Sequence, residues 1–415
     1  MLMRPLRSSD VRQLNERVVL NLFYDYDKVS QSDIVSLTGL KPSTVLRIFS
    51  NLERYGEICM IDPESEKFKR NTAGRHPVFY RINPSAHYSI GLTFEKNVIE
   101  LVIVDFALNI IHSARAAFSI SQDLATLPED ISAFVKQSLS AAAIDPTTVL
   151  GIGVGCPGSV DPDRGLLLSL ATVPSLHNYP LKEKLEALLG VHVFLQSANL
   201  LAAQYYNRYG DMEARDRILY LSIASTVTAS FYMRAPSGML GGVPSLLVGW
   251  MLLQRPDSFL NMRDVRTLND VCSEDRILSV LKPLGITTMD DLDNSIESGN
   301  PHLDLLVHNI GDALSFCVSN LSMLFQPQAV VLASRSKHFS QLLARAVTEI
   351  LNARYYWPLD HEPLILGKAH NFRKISRSAI DLVLDNEFNA NLGWKRPKVL
   401  SQPQYEEGWN RHFKD

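Results

Sequence analysis

Cysteine is scarce in this chain, and long apolar runs are absent. Four cysteines occur in 415 residues, at positions 59, 156, 272 and 317, and no two lie close together. This spacing argues against a disulfide framework and against a zinc site built on cysteine pairs. No apolar run approaches the length of a membrane span, and residues 1–10 lack the apolar core of a signal peptide. We therefore expect a cytoplasmic protein that does not associate with a membrane.

A strong excess of charge of either sign is also lacking. The net charge is −3, so the molecule as a whole is not a polyelectrolyte binder. Residues 1–82 contain 13 Lys and Arg against 10 Asp and Glu, whereas the rest of the chain contains 28 against 34. A mildly basic head on an acidic body is typical of a DNA-binding domain fused to another unit.

Residues 30–56, SQSDIVSLTGLKPSTVLRIFSNLERYG, have the pattern of a helix–turn–helix. Ser30 and Asp33 have the spacing of a capping box at the start of the first helix. Gly39 supplies the permissive backbone of the turn, and Pro42 is favoured in the first turn of the second helix. Apolar residues at helical spacing form the inner face of that second helix: Val45, Ile48, Phe49 and Leu52.

The flanking segments extend this pattern to a winged helix–turn–helix over residues 1–82. Residues 14–26 carry an apolar stripe typical of the first helix of a three-helix core. Strand-like runs at 57–61 and 78–82 enclose a polar, cation-containing segment, as a wing would. The alternative is an ordinary helical hairpin at the edge of a larger enzyme.

The outward residues near the start of the second helix are candidates for contact with DNA. In this motif those residues enter the major groove, so we expect Ser43, Thr44 and Arg47 to contact base edges. Further cations are expected to contact phosphates or the minor groove: Lys41, Lys69, Arg70 and Arg75. The partner would be double-stranded DNA with a pseudo-palindromic operator, bound by a two-fold dimer.

Beyond residue 82 the pattern changes from helical to β. Three successive strands are followed by alternating helices and strands, and the order then occurs a second time. This predicts an α/β body with two related lobes. We expect the first lobe at 83–195, the second at 196–374, the helix 375–390 packed back onto the first lobe, and a polar extension at 391–415.

The segment Gly153-Val-Gly-Cys-Pro-Gly158 matches G-x-G-x-x-G but does not predict a dinucleotide site. That motif must open a helix whose N-terminus binds the pyrophosphate, and Pro157 and the following Asp161-Pro162 turn prevent this. A glycine-lined loop beside a pocket and a plain tight turn both remain compatible with the segment.

Taken together, the motifs resemble the ROK family of bacterial sugar-responsive repressors and sugar kinases. The matching segments are TGLKPSTVLRIFSNLERYG, AGRHPVFYRIN, YSIGLTF, GIGVGCPGSVDP, HNYPLKEKLEALLGVHVF and LYLSI, which span most of the chain. The resemblance implies an α/β fold in which a winged helix–turn–helix precedes a two-lobed body of the actin-like ATPase (ribonuclease H-like) type.

The departures from the family pattern predict a body without kinase activity. The family's catalytic Asp falls at Ala198, which cannot accept a proton from a sugar hydroxyl. The family's glycine-rich phosphate loop falls on Ala224-Ser-Thr-Val-Thr228, where Cβ atoms would obstruct a close phosphate approach. We therefore expect no ATP site and no cofactor.

The resemblance also implies an altered sugar pocket. The family's Glu-Ile-Gly-His falls on Leu247-Val-Gly-Trp250, and the zinc cysteines that should follow are absent, so no structural zinc is expected. The remaining ligand candidates are Asn178, Gly158, Ser159, Ser197 and Trp250. Trp250 would either stack on a ligand ring or fill the space of the lost groups.

The sequence thus predicts a non-enzymatic DNA-binding regulator, of repressor type, with a kinase-like body for dimerisation and effector sensing. The effector would be a small molecule, for instance a sugar derivative, and the oligomer a dimer or a tetramer. One alternative is a sugar kinase with an appended DNA-binding domain, which Ala198 disfavours. The other is a protein-interaction module in which the head docks onto protein.

Overall fold

The computed structural model describes residues 8–26, 28–62, 78–95, 97–120, 124, 126–170, 173, 175–210, 212, 215–234, 240–253, 266–301, 303–354 and 361–388. The segment 63–77, which contains the predicted wing cations, and the predicted extension at 391–415 lie outside the described residues. Within the described part, no helix is both long and apolar enough to cross a bilayer.

The N-terminal unit, called the head below, consists of three helices and a small antiparallel sheet. The helices are α1 (Ser8–Asp25), α2 (Gln31–Thr38) and α3 (Pro42–Arg54). The strands β1 (Val29–Ser30), β2 (Ile58–Met60) and β3 (Phe79–Ile82) lie in the order β1-β3-β2. The four apolar residues predicted for the inner face of α3 are all buried.

The helix boundaries in the head follow from local chemistry. At the start of α2, Asp33 N donates to Ser30 Oγ (3.2 Å) and Ser30 N donates to Asp33 Oδ2 (2.9 Å), which is the predicted capping box. The helix ends at Gly39, whose φ of +70° is a conformation that a glycine adopts without strain. α3 begins at Pro42, as predicted.

The first lobe is built on a mixed five-stranded sheet in the order β10-β7-β4-β5-β6. These strands are β4 (Tyr88–Glu95), β5 (Val98–Asp105), β6 (Ile110–Ala117), β7 (Val149–Cys156) and β10 (Val193–Ser197). Strands β4, β7 and β10 are parallel, so their carboxyl ends lie at one edge. The helices α4 (Leu127–Ala141) and α5 (Leu181–Leu189) contribute to the core on one face, and β8 (Ser159–Asp161) pairs with β9 (Leu166–Ser169).

The C-terminal helix α12 (Phe372–Phe388) packs against β4 and β7 of this sheet. The approach is very close because glycines face the helix. A Cβ atom built on Gly153 would lie 1.8 Å from the carbonyl oxygen of Ala379, and one on Gly91 would lie 1.8 Å from that of Ser376. Only glycine fits at these two positions.

The second lobe has a five-stranded sheet in the order β13-β12-β11-β14-β15. Its strands are β11 (Arg217–Ile223), β12 (Val227–Arg234), β13 (Leu240–Leu246), β14 (Ala329–Ser334) and β15 (Leu364–Ala369). Its helices are α7 (Asn269–Cys272), α8 (Glu274–Leu281), α9 (Met289–Glu297), α10 (Leu303–Phe325) and α11 (Lys337–Arg354). β11, β14 and β15 are parallel, so their carboxyl ends also lie together.

Helix α6 (Ala198–Tyr209) lies between the lobes and contacts α12, β11 and β12. Sequence periodicity did not reveal this helix. The reason is that no residue of the helix is exposed and four consecutive residues, Leu200, Leu201, Ala202 and Ala203, are buried, so its apolar residues do not form a single stripe.

The head and the first lobe share one hydrophobic core. Residues of the head cluster with Val102, Val104, Phe106 and Leu108 of the first lobe and with Ile380 and Leu384 of α12. The buried Tyr24 Oη donates a hydrogen bond to the carbonyl oxygen of Phe106 at 2.8 Å. The head is therefore packed onto the body rather than joined by a linker alone.

Candidate functional site

Two regions of the described structure have the features of a site: the exposed start of α3 and a cleft between the lobes. At the start of α3, the turn is fixed by a hydrogen bond from Gly39 N to Val35 O (2.9 Å) and by Thr38 Oγ1, which donates to Ile34 O (2.6 Å). This turn determines the angle at which α3 leaves the head core.

The predicted DNA-contacting residues on α3 lie on its outer surface. Lys41, Ser43 and Arg47 are exposed, and Thr44 is half-buried. Arg47 pairs with no carboxylate among the described residues. Lys69, Arg70 and Arg75 lie outside the described residues, so their role stays a prediction.

The cleft contains a cavity of about 320 Å³. It lies at the carboxyl ends of the parallel strands of both sheets, the position at which open α/β sheets usually bind ligands. The first lobe contributes Glu95 at the end of β4 and Cys156–Gly158 at and after the end of β7, and the junction of β10 with α6 contributes Ser197–Asn199. The second lobe contributes the turn 224–226 and the side chains of Ser222, Thr228, Ser245, Leu247 and Trp250.

The predicted ligand residues divide into two groups. Gly158, Ser197 and Trp250 line the cavity. Asn178 and Ser159 are not part of the cavity wall; Asn178 is exposed in a left-handed conformation with φ of +53°, and its neighbour His177 lines the cavity instead. A role in ligand binding stays a prediction for all five.

Trp250 lies at the rim of the cavity rather than inside it. Its side chain is 65% exposed, and the cavity remains open beside it. This position leaves a face of the indole ring available to a bound molecule. It argues against the alternative that Trp250 fills the space of the lost polar groups.

Residues 224–228, where the family resemblance places a phosphate loop, comprise the tight turn 224–226 between β11 and β12 and the first two residues of β12. The amide of Val227 is already used, since it donates to Asn269 Oδ1 at 2.8 Å. The carbonyl oxygen of Ala224 accepts from the amide of Glu274 at 2.8 Å. Across the cleft, Asn199 Nδ2 donates to Thr228 Oγ1 at 2.8 Å, which links this strand to α6.

A cluster of four ionisable side chains, called the ionic cluster below, lies at one end of the cleft. Arg335 Nη2 is 3.5 Å from Glu95 Oε2, and Arg335 Nη1 is 3.4 Å from Glu274 Oε1. His370 Nε2 is 3.2 Å from Glu95 Oε1, while its Nδ1 is 3.1 Å from Tyr220 Oη. Glu95 belongs to the first lobe, and the other members of the cluster belong to the second.

The pKa values of the two carboxyl groups shift in opposite directions. Burial raises the pKa of Glu95, but the hydrogen bond and charge of His370 and the charge of Arg335 more than offset this, so the pKa is lowered overall. Burial raises the pKa of Glu274, and Arg335 offsets this only in part. Glu95 is thus the better stabilised anion of the two.

Sequence reasoning missed the ionic cluster. Glu95, Arg335 and His370 come at or directly after the ends of β4, β14 and β15. A polar residue at the end of a buried parallel strand was the signal that could have found them. No three His, Cys, Asp or Glu side chains in the described ranges are grouped as metal ligands would be.

Comparison with known proteins identifies the relatives of this chain. Residues 90–232 match the model of the ROK family. The xylose repressor of Caldicellulosiruptor bescii is 21% identical over 369 residues, which cover 83% of this chain and 89% of the relative. The DNA-binding transcriptional dual regulator NagC of Escherichia coli (strain K12) is 21% identical over 359 residues, covering 83% of this chain and 86% of NagC.

Solved structures show the same fold. A ROK family transcriptional regulator, described as a homologue of the Escherichia coli Mlc protein, has a TM-score of 0.70 at 16% identity, covering 91% of this chain and 97% of its own. A ROK family glucokinase from Streptomyces griseus, in complex with glucose and AMPPNP, has a TM-score of 0.54 at 18% identity, covering 71% of this chain and 98% of its own. The two lobes thus have the actin-like sugar-kinase fold, and residues 90–232 of the chain are similar to the ROK family.

Proposed function

We propose that this protein is a DNA-binding transcriptional regulator of repressor type, with a non-catalytic sugar-kinase-like body. The observation that carries the proposal is the exposed start of α3, which presents Lys41, Ser43 and Arg47 beyond a well-defined turn. Repressor names among relatives that cover most of the chain support the same function.

We propose that the head, residues 1–82, is a winged helix–turn–helix that inserts α3 into the major groove. Ser43, Thr44 and Arg47 contact base edges, and Lys41 contacts phosphate, with Lys69, Arg70 and Arg75 contributing from the wing. One such unit reads a short half-site. A homodimer or tetramer on a pseudo-palindromic operator therefore supplies the required affinity.

The body, residues 83–195 and 196–374, serves effector binding and self-association, while residues 391–415 form an extension. Catalysis by the kinase route has no base, because Ala198 stands where a carboxylate would be needed. The engaged amide of Val227 also leaves less backbone for a phosphate. No nucleotide, metal or membrane is part of the proposed mechanism, which operates in the cytoplasm.

Effector binding reaches the head through α12. This helix begins two residues after His370 of the ionic cluster and packs through Ile380 and Leu384 into the core that it shares with the head. A ligand that favours one arrangement of the two lobes shifts the position of α12, and with it the spacing of the two heads in a dimer. The shift requires different affinities of the ligand for the two arrangements.

The test is the affinity of Arg47→Ala for a selected operator and for random DNA. Arg47→Ala should lose about tenfold or more in operator affinity, with a much smaller loss on random DNA. Arg54→Ala is the matched control, because Arg54 lies in the last turn of the same helix and packs its guanidinium against the ring of Tyr55. Equal losses on both DNAs would exclude Arg47 from base readout.

The kinase alternative is tested by ADP release from ATP with a panel of sugars. Turnover that disappears on mutation of residues 224–228 would contradict a non-catalytic body. Specific DNA binding without ADP release is the expected result.

A further inference from the structure

The wall of the cleft carries one fixed charge among its described residues. Asp, Glu, Lys and Arg are represented there by Glu95 alone, whose side chain is 16% exposed. The other polar side chains of the wall are seven hydroxyls, the amide of Asn199, the thiol of Cys156, the indole of Trp250 and the imidazole of His177. The hydroxyl-bearing residues are Ser169, Ser197, Ser222, Ser225, Thr226, Thr228 and Ser245.

The nearest guanidinium to Glu95 is already compensated. Arg335 lies between the carboxylates of Glu95 and Glu274, at 3.5 Å and 3.4 Å. Glu274 Oε2 is buried without a hydrogen-bond partner among the described residues, and His370 Nε2 faces Glu95 Oε1 at 3.2 Å, so the cations of the ionic cluster are directed at its own carboxylates. A second anion at this end of the cleft would meet repulsion from Glu95 and no uncommitted cation on the described wall.

An uncharged polyhydroxy ligand meets no repulsion from Glu95. Its hydroxyl groups can donate to Glu95 and exchange hydrogen bonds with the serine and threonine side chains, so that no buried charge is left uncompensated. Trp250, 65% exposed at the rim, offers an apolar face to the carbon side of such a ring.

We propose that Glu95, held by Arg335 and His370, is a charge filter that makes the cleft select unphosphorylated polyhydroxy ligands and reject their phosphate esters. The inference rests on the proposed function only in taking this cleft as the effector site. Specificity arises by rejection, because the phosphate meets a like charge in a partly desolvated site.

The experiment is calorimetric titration of the full chain with matched pairs of ligands. The probes are glucose with glucose 6-phosphate, and N-acetylglucosamine with its 6-phosphate, together with xylose as a single neutral ligand. At least one neutral sugar should bind. The phosphate ester of that sugar should bind at least about tenfold more weakly, or show no binding. Inorganic phosphate should not displace the neutral ligand.

The variant Glu95→Gln removes the negative charge of Glu95 and little else. Arg335 keeps Glu274 as a partner in this variant, and glutamine matches the shape of glutamate, so folding should be retained and is checked by circular dichroism. The ratio of the affinity for the neutral sugar to the affinity for its phosphate ester should fall several-fold towards one in this variant. Glu129→Gln, on the exposed surface of α4 and away from the cavity, should leave the ratio unchanged.

Three results would overturn the charge filter: a phosphate ester that binds as tightly as its parent sugar, an unchanged ratio in Glu95→Gln, or no binding by any neutral probe. These results are separate from failure of the proposed function. Operator binding is measured on the same preparations without ligand, and its loss would refute the regulator while leaving the ligand ratios intact.

Discussion

Replacing Gly153 by alanine is expected to destabilise the body, because α12 lies directly on this residue. The added Cβ would be 1.8 Å from the carbonyl oxygen of Ala379, a backbone atom of the helix that no rotamer change can move. Overpacking costs about 1–3 kcal/mol where side chains can adjust, so we expect a cost of about 3 kcal/mol or more here. The displaced helix also carries Ile380, which packs into the core shared with the head.

Gly151→Ala is the matched control for this prediction. Gly151 lies two positions earlier on the same strand, and its Cβ would first meet the tip of the Val383 side chain at 3.0 Å. The Phe194 ring and the carbonyl oxygen of His192 follow at 3.2 Å and 3.3 Å, distances that small shifts can relieve, so the expected cost is about 1 kcal/mol, well below that of Gly153→Ala. Urea unfolding followed by circular dichroism measures both variants. Equal midpoints for Gly153→Ala and Gly151→Ala would refute the close packing of α12 on the sheet.

Three further predictions concern stability. Arg208→Met should lower the free energy of unfolding in urea by about 3–5 kcal/mol. The reason is that Arg208 is 3.2 Å from both Asp381 and Asp385, so its loss removes the cation that these buried side chains share. A loss below about 1 kcal/mol would contradict this. Ser30→Ala should lower the free energy of unfolding by about 1 kcal/mol, because the capping box of α2 is lost. Amide hydrogen exchange should show reduced protection in α2 first, and unaltered protection of these amides would contradict the prediction. Burial raises the pKa of Glu95 but its cationic partners lower it by more, so near this pKa the folded protein binds fewer protons than the unfolded chain. The difference in unfolding free energy between wild type and Glu95→Gln should therefore be constant above about pH 5, and wild type should lose stability relative to the variant as the pH falls below 4.5 through the lowered native pKa. A change confined to neutral pH would contradict the assignment.

The local features of the head could be predicted from the sequence because their causes are local. Ser30 with Asp33, Gly39 and Pro42 each act within one helical turn, and the structure confirms the helix boundaries that they imply. β1 could not be predicted, since its two residues carry no periodicity and pair with Phe79 and Tyr80, about fifty positions away.

The body was predictable in outline and less so in detail. Alternating strands and helices indicated two related lobes, and the segment 153–158 was not expected to open a helix; in the structure it joins β7 to β8. The ionic cluster was missed because residues 95, 274, 335 and 370 are distant in sequence and meet only through the topology of two sheets. The rejection of a nucleotide loop at 224–228 stays a prediction, supported by the hydrogen bond of Val227 to Asn269.

The central claim, that the head binds a specific DNA sequence, is tested most directly by selecting bound fragments from the source genome with the full chain. The best fragment is then titrated at two salt concentrations beside random DNA. We expect a pseudo-palindrome with two half-sites, bound at least about a thousandfold more tightly than random DNA. Weak binding without sequence preference and with steep salt dependence would contradict it and would favour a head that docks onto protein.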